Sequence, residues 1–175
     1  MKLKRFLNYF AMFILLSSLM IGCIGVSHIS QTSGVSIGYL AYIPENAKFV
    51  ILDKDNISAD SLYEEVYVVL LSRGHRIFKD DKERHYITTE GKDLGQSTLQ
   101  RMTIVVTEKE NGSQLKIATE WKGGTQASIT ATAISGIPVN PDWEVAKWVT
   151  GRQGIAFAES VAIVSEIQGG SISYE

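Results

Sequence analysis

The sequence predicts an α+β fold: an antiparallel β-sheet with two main helices packed on one face, a two-layer sandwich. Three observations predict it. Residues 58–73 and 153–167 each repeat apolar side chains at helical spacing. Residues 101–122 alternate in character about Asn111-Gly112, the strongest short hairpin signal. The order strand, helix, several antiparallel strands, helix is the one in which helices cover a single sheet face.

The elements follow in order. Residues 47–52 (Ala-Lys-Phe-Val-Ile-Leu) read as the first strand, and Asp53-Lys54-Asp55-Asn56 ends it. Ser58 suits a helix N-cap, and Asp60 stands near the positive end of the helix dipole. Leu62, Val66, Val69, Leu70 and Arg73 mark one face of helix 58–73, and Gly74 suits the left-handed position past its end. Residues 76–79 and 84–89 read as short strands around the turn Asp80-Asp81-Lys82-Glu83, and 90–98 as a loop with Gly91 and Gly95. A two-residue turn at Asn111-Gly112 would put Val106 opposite Ile117, Ile104 opposite Thr119 and Met102 opposite Trp121 on one face. Val105 would then meet Ala118 and Thr103 would meet Glu120 on the other. Residues 125–135 read as a strand of small residues or a packed loop. Pro138 and Pro141 frame a turn, and Asp142 begins a short helix through Val149. Helix 153–167 is apolar on more than one side and is expected to be deeply buried. Gly169-Gly170 stops it, and 171–174 forms an edge strand.

No Gly-x-Ser-x-Gly elbow, His-Glu-x-x-His pair or phosphate-cradling glycine loop occurs. The histidines are His28, His75 and His85. His75 follows a helix end, where a basic side chain is favoured by the dipole. His85 lies beside Asp80, Asp81 and Glu83. That set has the chemistry for acid–base or metal work, and also the composition of a solvated, mixed-charge turn. Trp121, Trp143, Trp148, Tyr63 and Tyr67 read as core or rim aromatics, with a partner surface as the other reading. No metal or cofactor is implied.

The N-terminus carries the clearest signal. Lys2, Lys4 and Arg5 precede an uncharged run, 6–21, and Gly22 then precedes Cys23, which is the single cysteine of the chain. Leu19-Met20-Ile21-Gly22-Cys23 resembles the lipobox of bacterial lipoproteins. Ile21 and Gly22 fit that motif, and Met20 stands where the family usually has leucine. The resemblance implies cleavage between Gly22 and Cys23, with lipidation of the Cys23 thiol and acylation of its new amino group. Three chains would anchor the protein permanently. Ile24, in place of the aspartate that favours inner-membrane retention in enteric-type bacteria, implies the outer membrane where the cell has one. The alternative reading of the same run is an uncleaved transmembrane helix over residues 6–26, 21 residues long.

This divides the chain into a signal peptide (1–22), a lipidated cysteine and tether (23–44) and one globular domain (45–175); within the tether 24–38 is rich in Ser, Gly and Thr, and the more apolar Tyr39–Ile43 is expected to touch the domain already. Cleavage removes 22 of 175 residues and leaves 153, one ordinary domain. Three of the 17 basic residues and no acidic one leave with it, so 14 basic face 19 acidic and the mature charge is −5. An acidic surface excludes nucleic acid as an expected partner and disfavours electrostatic attraction to anionic headgroups. The element order also looks like that of small α+β domains in accessory lipoproteins of outer-membrane assembly machines. The expected function is a lipid-anchored, non-enzymatic envelope module that binds or scaffolds an envelope protein partner. The rival is an envelope enzyme, a hydrolase using His85 with its neighbouring carboxylates.

Overall fold

A computed structural model describes residues 25–124 and 142–175. The chain enters through two short helices, α1 (Val26–Ser33) and α2 (Ile37–Leu40). Strand β1 (Phe49–Asp55) and helix α3 (Ala59–Ser72) follow. Next come β2 (Ile77–Asp81), β3 (Tyr86–Thr89), β4 (Lys92–Asp93), β5 (Thr98–Lys109) and β6 (Gly112–Gly123). The described chain closes with β7 (Glu144–Val145), α4 (Arg152–Glu166) and β8 (Ser171–Tyr174).

The sheet is antiparallel throughout, in the order β2-β3-β5-β6-β1-β8, with β4 paired to β5 and β7 to β6. Strand periodicity sends Met102, Ile104 and Val106 of β5 and Leu115 and Ile117 of β6 to one face. There they meet Leu62, Val66 and Leu70 of α3 and Ile155, Ala158 and Val161 of α4 in one core. This is the expected α+β sandwich, with both main helices on one face. Ser58 caps α3 as its type requires, its side chain accepting from the Ser61 N–H, and β8 forms the expected edge beside β1. Helix α4 is buried from Gly154 to Val164. Its small residues let it approach closely: a Cβ on Gly154 would strike the Val149 carbonyl and the Ile29 side chain.

Four expectations are corrected. The tether within 23–44 is in large part folded. Ile29 of α1, Val35 before α2, and Leu40 at the end of α2 belong to the core, because packing gives these apolar side chains a surface to cover, Ile29 lying against Gly154 of α4. The hairpin pairs two residues out of the expected register, with Val106 opposite Leu115, Ile104 opposite Ile117 and Met102 opposite Thr119. A shift of two preserves which face each residue takes. Its turn is Glu110-Asn111, and neither residue has a positive φ. Gly112 is required elsewhere: it begins β6 at φ 155°, opposite Asp55, where a Cβ would collide with the Lys54 carbonyl of β1. The stretch from Asp142 to Val149 is not helical; it is extended and adds β7 to the sheet beside β6. The loop 90–98 includes β4. The strand or loop expected at 125–135 lies outside the described residues, as do Gly22 and Cys23.

Candidate functional site

The sequence's candidate set does not converge. His85 adopts a left-handed backbone (φ 48°), and its Nε2 lies 2.9 Å from Oδ1 of Asp60, in the first turn of α3. Asp80 accepts instead from the Tyr63 hydroxyl at 3.3 Å. Burial, with the Asp80 carboxylate beside it, pushes the Tyr63 phenol up to about 12. Asp81 accepts from the Arg84 backbone N–H at 3.1 Å, Lys82 donates to Glu64 at 2.5 Å, and Glu83 is exposed. His85, Asp80 and Lys82 therefore each pair with a residue of α3, so Asp60, Tyr63 and Glu64 dock this stretch along that helix, while Glu83 stands in solvent. His28 sits half-buried on α1, away from these groups.

A different cluster is assembled from four segments around Glu159. This carboxylate stands four residues after Ile155 and three before Ala162, so helical geometry carries it inward with them. It is 4% exposed. Arg73, the C-cap of α3, grips it with two donors, Nη2 to Oε2 at 2.7 Å and Nε to Oε1 at 3.2 Å. Lys92 of β4 donates to Oε1 at 2.9 Å and to the Arg73 carbonyl at 2.7 Å. His75 Nε2 lies 3.0 Å from Oε1. Arg73 also reaches Glu166 at the end of α4 and the Ser33 carbonyl at the end of α1.

Burial alone would push the Glu159 pKa up. The bonds from His75, Arg73 and Lys92 outweigh it and hold the carboxyl well below the usual carboxylate range. An ionised carboxylate only accepts, so His75 Nε2 carries the shared proton. Its Nδ1 is buried and finds no hydrogen-bond partner among the described residues. A cleft of about 240 Å³ opens beside the cluster, lined by Thr32, Ser33, Arg73, Lys92, Asp93 and Glu159. A saturated carboxylate held in its charged form is poorly suited to taking or giving a proton. Its evident work is to tie α4 to α3, β4 and α1. No group of three or more His, Cys, Asp or Glu side chains is placed to hold a metal ion among the described residues.

Of the aromatic candidates, Trp148 packs in the core against Phe157, with ring centroids 6.1 Å apart. Trp121 is half-buried on β6. Two cations lie over the Trp143 ring, Arg101 at 4.5 Å and Lys122 at 4.8 Å from its centroid. Tyr63 is buried, its ring 6.2 Å from that of half-buried Tyr67. Residues the sequence reasoning missed are Glu159, Arg73 as its partner, Lys92 and Glu166. One signal was available: Glu159 is a lone charge on the expected buried stripe of an otherwise apolar helix.

An open groove of about 700 Å³ runs between α3 and the end of α4 past Glu64, Glu65, Val68 and Ile167. Among the described residues no helix is long and apolar enough to cross a membrane.

Fold and cluster together define an α+β sandwich whose helical layer is pinned by a buried ion-pair network. No protein-family model matches the chain, and no curated protein matches it. Among solved structures it is similar to a DUF4468 family protein from Bacteroides ovatus. Identity is 16%, the match covers 69% of this chain and 90% of that one, and the TM-score is 0.35.

Proposed function

We propose that this protein is a lipid-anchored module of the bacterial cell envelope that binds or scaffolds another envelope component without catalysing a reaction. Cys23 is the lipid acceptor, cleavage falls after Gly22, and the periplasmic side of the outer membrane is the location where the cell has one. The observation that carries the binding reading is how the ionisable groups are used. Glu159 is saturated by Arg73, Lys92 and His75, and His85, Asp80 and Lys82 each pair with a residue of α3. Both arrangements spend charge on holding elements together. The anchor suits such a module, because confinement to a membrane raises the effective concentration of a partner there.

Two measurements test this. The intact mass of the mature protein should correspond to a chain beginning at Cys23 with its lipid attached. A chain that begins earlier, or an unmodified Cys23, overturns the anchor in favour of the transmembrane reading. Crosslinking in intact cells followed by capture should enrich a defined envelope partner. Absence of any partner, with turnover of a substrate that is lost on His85→Ala, overturns the binding reading in favour of the hydrolase.

A further inference from the structure

Lipidation at Cys23 would place the acyl chains unusually close to folded structure. A flexible tether of about 15 to 20 residues would hold a domain on the order of 25 Å from its anchor. Helix α1 instead begins at Val26, and three residues of fully extended chain span at most about 10 Å. The segment that follows that point carries no charge. Residues 24–44 contain no Asp, Glu, Lys or Arg in a chain that is 21% charged. Within this stretch Ile37 is 52% exposed, Tyr39 39% and Tyr42 85%, while Val35 and Leu40 of the same segment are fixed in the core. Ser36 caps α2, accepting from the Tyr39 N–H, so the exposed side chains are presented from ordered backbone.

We propose that Ile37, Tyr39 and Tyr42 form a membrane-docking surface that seats the domain against the same bilayer its lipid enters. The inference rests on the lipid anchor at Cys23. Helix α1 is eight residues, about 12 Å, so its tilt decides where α2 sits. Upright, it would carry two tyrosines and an isoleucine away from the membrane into water. Laid along the surface, it puts them at the headgroup level, where tyrosine's apolar ring and polar hydroxyl are both satisfied. A charge-free contact also avoids pressing this acidic domain's carboxylates against anionic lipid. Docking adds buried apolar area to an anchor that already supplies proximity.

The test uses the full mature protein, reconstituted in vesicles of phosphatidylethanolamine with phosphatidylglycerol as the minor component. Tyrosines are iodinated with a water-soluble reagent and read by peptide mass. Tyr42 is the most exposed tyrosine among the described residues, and half-buried Tyr86 on β3 serves as internal reference. Docking inverts their expected order: Tyr42 labelling falls below that of Tyr86, roughly tenfold under its undocked rate, since interfacial burial removes the phenol from the aqueous reagent. In the pair Ile37→Asp and Tyr42→Asp, Tyr39 should gain reactivity on the same vesicles. Intact mass of the same sample separates the two proposals. Lipid on Cys23 with Tyr42 still labelled fastest overturns docking and leaves the anchor standing. Cys23 without lipid overturns both.

Discussion

Two regions concentrate ionisable side chains, and they are built in opposite ways. From Asp80 to His85, across the end of β2 and the turn after it, all six consecutive residues are ionisable, yet the structure disperses them. Asp80 pairs with Tyr63, Lys82 with Glu64 and His85 with Asp60, each at or near the surface. Around Glu159, five groups from distant parts of the chain meet: Arg73, His75, Lys92, Glu159 and Glu166. Charge density along a sequence therefore says little about convergence in space. A solvated turn can hold many charges because water screens each one, whereas a buried carboxylate persists only where its partners have been brought to it.

The largest effect is expected from Val161→Asp. Val161 lies two residues from Glu159 on α4 and is fully buried in the apolar core. A carboxylate placed there without partners should cost more than about 4 kcal/mol, and the cooperative urea transition followed by circular dichroism should be lost or strongly shifted. A loss below about 1 kcal/mol would mean that burial of a charge is not what distinguishes the two regions.

Glu159→Ala should cost about 3 kcal/mol by urea unfolding. That is the low end for breaking a buried pair, because Arg73 and Lys92 keep some contact with solvent. Acid should separate the regions next. The folded Glu159 carboxyl is held below its unfolded value of about 4.3, so its stabilisation is fully present above that pH. It is lost as pH falls toward the folded value. The urea midpoint of the parent protein should drop between about pH 5 and pH 3, and that of Glu159→Gln should drop less. Equal slopes would show that other carboxylates govern the acid response. The smallest effect is expected in the turn. His85→Ala and Asp60→Ala should each change stability by no more than about 0.5 kcal/mol. A loss as large as that of Glu159→Ala would erase the distinction.

The α+β class, helix α3 with its Ser58 cap, helix α4, the edge strand β8 and the face that each residue of β5 and β6 presents are all legible along the chain. These are local or periodic properties. A repeat of 3.6 or of 2 is written along the chain, and a cap needs only its near neighbours. The hairpin register, the folding of 26–40 and the Glu159 cluster arise only when distant segments pack. Gly112 looked like a turn residue, but its role is set by the Lys54 carbonyl of a strand more than fifty residues earlier. Residues 26–40 looked like a polar tether because their few apolar side chains count only once α4 and its Gly154 offer a surface to cover. Arg73, Lys92 and Glu159 are far apart in the chain, so their shared chemistry exists only after α3, β4 and α4 pack. Desolvation, which makes a carboxylate either costly or firmly paired, is a property of that packing and of no single stretch of sequence.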